Sequence, residues 1–343
     1  MTPHRIGLMG LGRVGRNLFR ILYSSDEFPI AAISDIADHA ALAYLLRFDT
    51  ILGVFPEKLS VQDDGNLHFA DRSIPMLSGE KPGDVPWGDL GVDTVIEATS
   101  RYRSRAEIEK HLERGAKRVI LCSPPSDPPD LTVVMGVNDD DLRREHRIVS
   151  NASCTAHSAA PLLQILGEAF GIERAFLSTV HAYTSQQRLA DVPSDDPRRG
   201  RAAAENIIPQ SSNSAEVLMG LLPELAGKVS GLAMNVPVAN GSVVDLVCWH
   251  ERAVTVAAIN EVMRAAADSE RWRGILAYED DPIVSSDIIR STYSSTYDSL
   301  LTMVLGEKVS KTLAWFDNGW GYAHRVVDLL RKFRALDGEE ASA

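Results

Sequence analysis

Two groups of residues have the types and spacing to do chemistry. The first is Cys154, which stands with Ser153 just before the helical run Ala156, Leu162, Leu163, Ile165 and Leu166. A thiol in the first turn of a helix faces unpaired N–H groups and the positive end of the macrodipole. Both favour the thiolate, so the position is expected to lower the Cys154 pKa and make it a nucleophile. Cys122 and Cys248 sit in apolar strand patterns and read as inert buried thiols. The second group is Gly10-Leu11-Gly12-Arg13-Val14-Gly15, directly after an apolar run, with Asp35 some 25 residues beyond Gly10. Glycines let a pyrophosphate approach a helix N-terminus, and a carboxylate at that distance bonds ribose hydroxyls. Asp35 repels a 2′-phosphate, and Ile36, Ala37 and Asp38 supply no arginine to receive one, so NAD is expected rather than NADP.

The elements that must position these residues follow from periodicity. Ile6–Met9, Ile30–Ser34 and residues 92–98, 118–122 and 133–137 read as strands with helical patterns between several of them, as in 106–114 before Gly115. That alternation predicts an α/β chain with a Rossmann-type, parallel-sheet dinucleotide-binding domain over residues 1–152. From about Asn151 the texture changes to a long helix and longer strands at 243–249 and 312–316, which predicts an α+β domain with a mixed or antiparallel sheet over 153–320. Residues 321–343 remain as a terminal segment, whose end from Gly338 reads as frayed.

With 343 residues, two domains are expected. The formal net charge of −12 speaks against nucleic acid as a partner, because phosphate backbones require a basic face. Three cysteines in so long a chain fit a reducing compartment rather than a disulfide framework. No apolar run approaches the roughly 20 residues that span a bilayer, and the start has no signal-peptide pattern. A cytoplasmic protein without membrane or metal partners is expected.

Four motifs in order, Ser153-Cys154-Thr155, His181-Ala182-Tyr183-Thr184, Asn206-Ile207-Ile208-Pro209 and Trp315-Phe316-Asp317-Asn318-Gly319-Trp320-Gly321-Tyr322, resemble the glyceraldehyde-3-phosphate dehydrogenase family. The resemblance runs over essentially the whole chain and takes in Ser242-Val243-Val244-Asp245-Leu246 and Ser285-Ser286-Asp287. It implies an NAD-dependent homotetramer that oxidises an aldehyde through a cysteinyl thioester and passes the acyl group to inorganic phosphate. By this resemblance Cys154 is the nucleophile and His181 its base. Gly10, Gly12, Arg13, Val14, Gly15, Asp35, Ile36, Lys81, Thr99, Asn318 and Tyr322 would serve the cofactor, with Asn318 on the nicotinamide carboxamide. The terminal helix, about 325–333, would return to the first domain.

The resemblance also assigns two anion sites, and the chain departs from the family at both. For the substrate phosphate, Thr184 is present, but the family arginine is Asn235 in Met234-Asn235-Val236-Pro237, and a common aspartate is Gln186. Asparagine has neither the charge nor the bidentate fork of arginine. For the attacking phosphate, Ser153, Thr155 and Arg198 match, while a Thr-Gly pair has become Ser212-Asn213 and a lysine has become Glu216. His157 replaces an asparagine one helical turn after the nucleophile, and reads as a packing replacement, a second proton carrier or a substrate contact. Either Arg188, Arg198 or Arg199 compensates for the lost charge, or the aldehyde is not glyceraldehyde 3-phosphate. An NAD-binding regulatory protein with little catalysis is the third reading.

Overall fold

A computed structural model describes residues 3–340. Its described residues divide into two compact units, one drawn from 3–133, 140–152 and 323–340 and the other from 134–139 and 153–322.

The first unit is built on strands β1 (Ile6–Met9), β2 (Ile30–Ser34), β3 (Met76–Leu77), β4 (Thr94–Glu97), β5 (Arg118–Leu121), β6 (Leu131–Thr132) and β7 (Ile148–Ser150). They lie in the order β6-β7-β5-β4-β1-β2-β3, every neighbouring pair parallel. A parallel sheet is covered on both faces, which is why β1, β2, β4 and β5 are buried along their whole length. Helices α1 (Arg13–Leu22), α2 (His39–Arg47) and α3 (Arg105–Glu113) make the crossovers. Ser104 caps α3 through a capping box with Glu107, which sets its start one residue earlier than the apolar periodicity indicates.

Residues 133–137 are not a strand. Pairing with β7 stops at Thr132, and the chain then turns, with Gly136 at φ +81°. Val134 N–H donates to Asn138 Oδ1 at 2.8 Å and Gly136 N–H to Asp139 Oδ1 at 2.7 Å, so side-chain acceptors take bonds a ladder would have used. The apolar run masked the turn, and the next true strand, β7, lies further on.

In the second unit, α4 (Cys154–Phe170) leads into β8 (Arg174–Ala182), β9 (Ile208–Gln210), α5 (Ser214–Leu221), β10 (Val229–Val236), β11 (Ser242–Trp249), α6 (Val256–Asp268), β12 (Leu276–Glu279), β13 (Ser295–Leu305) and β14 (Val309–Phe316). The sheet order is β9-β10-β8-β11-β14-β13-β12. Pairs β8–β10 and β12–β13 are parallel and the others antiparallel, so the sheet is mixed. Helix α7 (Trp320–Glu340) is longer than expected and carries the chain, from Ala323, into the first unit. Gly338 is therefore helical, while the expectation of fraying over 341–343 lies outside the described residues.

Candidate active site

The nucleotide half lies at the carboxyl ends of β1 and β2. Gly10 turns with φ +94°, a conformation that side chains other than glycine rarely adopt, and a Cβ on Gly15 would lie 2.0 Å from the Gly10 carbonyl oxygen. Gly12 is the N-cap of α1, with no side-chain cap, and a Cβ there would meet nothing within 4 Å. A helix start with open space beside its glycine cap is what a pyrophosphate needs, so these residues fit a dinucleotide. Arg13 and Val14 open the helix.

Asp35 holds this loop in place. Its Oδ2 accepts from Leu11 N–H at 2.7 Å and its Oδ1 from Ala37 N–H at 3.0 Å. The groove beside it is lined by Gly10, Gly12, Asp35, Ile36 and Thr99, together with Arg101, which the sequence did not single out. Lys81 does not line the groove: it is exposed, and its N–H donates to Asp84 Oδ2 in a short 3-10 turn.

Thr99 is fixed from below by a buried relay. Trp87 Nε1–H donates to His111 Nδ1 at 2.9 Å, which leaves the proton of a neutral His111 on Nε2, 3.2 Å from Glu97 Oε2. The other oxygen of Glu97 accepts from the Thr99 N–H at 2.8 Å and from the Thr99 hydroxyl. Trp87, Glu97 and His111 have no solvent exposure. No single motif reveals this relay, because it joins a loop, a strand and a helix.

The thiol half is assembled in the second unit. Ser153 Oγ accepts from Ala156 N–H at 3.1 Å and caps α4, which makes Cys154 the first helical residue. Ala152, just before the cap, is left-handed at φ +48°, as is Ser100 after Thr99 at φ +59°, so backbone strain of about 1–3 kcal/mol each sits beside both halves. His181, the last residue but one of β8, has Nε2 3.5 Å from Cys154 Sγ. Its Nδ1 lies 2.6 Å from the Ala182 carbonyl oxygen. A carbonyl can only accept, so Nδ1 carries the proton and the neutral ring offers an unprotonated Nε2 to the sulfur.

The expected lowering of the Cys154 pKa does not occur. Burial pushes the thiol up, to about 11, and although the N–H groups of Thr155 and Cys154 oppose this, Asp317 adds its negative charge. Desolvation outweighs the helix terminus. Thiolate formation therefore depends on proton transfer to His181. Cys248 is fully buried and pushed up to about 12, as an inert thiol should be.

Asn318 is oriented by Ser242, whose hydroxyl donates to Asn318 Oδ1 at 3.2 Å and accepts from Ala182 N–H at 3.0 Å. Asp317 fixes the turn: its Oδ1 accepts from Gly319 and Trp320 N–H, and its Oδ2 from Asn240 Nδ2 and Arg290 N–H. Ser242, Asn240 and Asp317 were not assigned roles from sequence. Tyr322 is buried and meets His157 edge to ring at 6.1 Å, which supports the packing reading of His157.

The anion residues are less concentrated. Thr184 Oγ1 donates to Gln187 Oε1 at 2.9 Å, inside its own loop. Thr155 is buried in the first turn of α4. Ser212 donates to Ser214 Oγ at 2.8 Å, and exposed Asn213 is the N-cap of α5 without a side-chain cap bond. Arg188, Arg198 and Arg199 are exposed; Arg199 pairs with Asp196 at 3.5 Å, and Arg201 pairs with Asp191. Asn235 is 3% exposed, and its Nδ2 donates to the Ala182 carbonyl at 3.1 Å.

Two family descriptions match the chain: the glyceraldehyde 3-phosphate dehydrogenase NAD binding domain over residues 4–105 and the C-terminal domain over 153–318. The chain belongs to the glyceraldehyde-3-phosphate dehydrogenase family. It is 46% identical over 327 residues to the glyceraldehyde-3-phosphate dehydrogenase of Streptomyces coelicolor, covering 95% of this chain and 97% of that one. It is 45% identical over 326 residues to that of Geobacillus stearothermophilus, with 95% and 96% covered. With glyceraldehyde-3-phosphate dehydrogenase 2 of Streptomyces arenae it shares 46% over 327 residues, again 95% and 97%. As a member of this family, the chain is an oxidoreductase whose cofactor is NAD. Among the described residues no helix is long and apolar enough to cross a membrane.

Proposed function

We propose that this chain oxidises glyceraldehyde 3-phosphate with NAD and inorganic phosphate to 1,3-bisphosphoglycerate. Residues 1–152 serve the cofactor and 153–320 the chemistry, in a cytoplasmic homotetramer. The observation that carries the reading is the 3.5 Å approach of His181 Nε2 to Cys154 Sγ, with the tautomer set by the Ala182 carbonyl.

His181 takes the thiol proton as Cys154 Sγ adds to the aldehyde carbon. The imidazolium and the N–H groups at the start of α4 stabilise the oxyanion as it forms, and His181 returns its proton to that oxygen, giving the hemithioacetal hydroxyl and a neutral imidazole. NAD supplies the hydride acceptor when bound. As hydride leaves the carbon, His181 accepts the hydroxyl proton, and a thioester remains on Cys154. A thioester retains much of the oxidation energy. Phosphate adds to its carbonyl and expels the Cys154 thiolate, giving an acyl phosphate. Asp35 holds the glycine loop for the pyrophosphate, and by family resemblance Asn318 receives the nicotinamide carboxamide.

Exposed apolar side chains on the second unit, among them Leu189 at 85% and Leu305 at 76%, support the tetramer. Light scattering that gives a monomer mass would overturn it. Production of NADH from glyceraldehyde 3-phosphate only when phosphate is present is the expected assay result; no NADH at millimolar aldehyde sinks the substrate.

A second reading, a related aldehyde without the phosphate, is favoured by Asn235, which directs its amide to backbone and carries no charge. Comparing kcat/KM for glyceraldehyde 3-phosphate and for glyceraldehyde separates the two. A preference for the phosphorylated substrate of less than tenfold decides for the second reading.

A further inference from the structure

His181 and Asn235 are direct partners in the parallel pairing of β8 with β10. Both send a donor to one acceptor, the Ala182 carbonyl oxygen: His181 Nδ1 at 2.6 Å and Asn235 Nδ2 at 3.1 Å. A carbonyl oxygen offers two lone pairs, enough for both. Asn235 Oδ1 is buried and accepts no hydrogen bond. Leucine has nearly the same shape and would leave no such polar atom unpaired, so packing alone does not account for an amide here.

We infer that Asn235 is a positioning residue for His181: it holds the Ala182 carbonyl in the orientation that keeps the proton on Nδ1 and the acceptor lone pair of Nε2 toward Cys154. The position that in the family carries a substrate-binding arginine thus acts here on the base. Because the free thiol is disfavoured as a thiolate, nucleophile formation depends on the state of Nε2. The opposite tautomer would present a donor to the sulfur and leave nothing to take its proton. The carbonyl selects between the two, and Asn235 restrains the carbonyl.

This inference rests on the assignment of Cys154 and His181 as nucleophile and base, but not on the aldehyde. Its test is the rate of Cys154 alkylation by iodoacetamide as a function of pH, with full-length protein and without substrate or cofactor. Wild type is compared with Asn235→Leu, which keeps the shape and removes the donor, and with Asn235→Asp, which replaces the donor by a charged acceptor. For Asn235→Leu we expect unchanged or higher thermal stability and alkylation at neutral pH slowed about tenfold. For Asn235→Asp the acid limb of the profile moves to higher pH, because a carboxylate near the ring favours imidazolium. With a turned-over aldehyde, kcat falls in both variants while KM changes less than about twofold.

Alkylation profiles in both variants that overlay the wild type overturn the inference, as does a raised KM with unchanged kcat, which would return Asn235 to the substrate. If Asn235→Leu does not fold, the profile of Asn235→Asp decides alone. Failure to oxidise glyceraldehyde 3-phosphate, with the alkylation shifts intact, refutes the substrate and leaves the inference standing.

Discussion

His181 Nε2 stands 3.5 Å from Cys154 Sγ while its other ring nitrogen is committed to the Ala182 carbonyl. With the thiol pushed up to about 11 by burial, the pair and not the helix terminus determines reactivity.

Replacing His181 by glutamine is expected to lower kcat by about 10²–10⁴, the usual worth of a positioned acid–base group. Alkylation of Cys154 should become slow at neutral pH and rise only as the isolated thiol titrates toward about 11. Retention of wild-type alkylation at neutral pH by this variant would show that the thiolate forms without the base.

Asp35 holds the glycine loop through the Leu11 N–H. A hydrogen bond to a charged group is worth about 1.5–3 kcal/mol, so Asp35→Ala should weaken NAD binding roughly ten- to a hundredfold. Arg101 in the same groove is then no longer opposed by the carboxylate, and binding of NADP should weaken less than that of NAD or improve. Fluorescence titration with each cofactor measures both effects; an unchanged NAD affinity contradicts the role of Asp35.

The relay from Trp87 through His111 to Glu97 is closed to solvent, so its interruption is costly. His111→Leu leaves both Trp87 Nε1 and Glu97 Oε2 without that partner. It is expected to destabilise the first unit by about 2–4 kcal/mol in urea unfolding, and to weaken NAD binding through Thr99. A loss below about 0.5 kcal/mol would show that the relay contributes little.

Arg118 meets both carboxylate oxygens of Asp337 at 2.7 Å, and its guanidinium lies 4.6 Å from the Phe333 ring centroid. Burial raises the Asp337 carboxyl, but the hydrogen bonds and charge of Arg118 overcome this and hold it below the ordinary carboxylate range. The pair therefore stabilises the fold above the unfolded carboxylate pKa of about 3.9, and this contribution disappears as pH falls through the lower folded value. Asp337→Asn should cost about 1–2 kcal/mol at neutral pH, a modest figure because the carboxylate is partly exposed. The difference between variant and wild type in thermal melts should narrow as pH falls below the unfolded carboxylate value; a constant difference across pH would rule out the charge as its source.

Local geometry made half of this legible in the sequence. The glycine turn, Asp35 and the helix start at Cys154 are each set by a few neighbouring residues, and the structure places them where spacing indicated. The approach of His181 to Cys154 follows from where β8 ends relative to α4, which no spacing reports; only the family motif carried it. The thiol's acidity was misjudged because the helix terminus is visible in sequence, whereas burial and Asp317 arrive with the tertiary fold. The failed strand at 133–137 has a similar origin. Its valines fit an edge strand, but Asn138 and Asp139 capture the backbone N–H groups first.

Helix α7 gives the first unit an unusual dependence on the order of synthesis. Val326, Val327, Leu330 and Phe333 are buried there, and Arg118 waits for Asp337, 219 positions later. The dinucleotide-binding unit cannot close its core on the ribosome until α7 has emerged. At about 5–20 residues per second, the nascent chain spends some ten seconds or more with an apolar surface uncovered. A premature stop before Ala323 would leave that surface uncovered permanently.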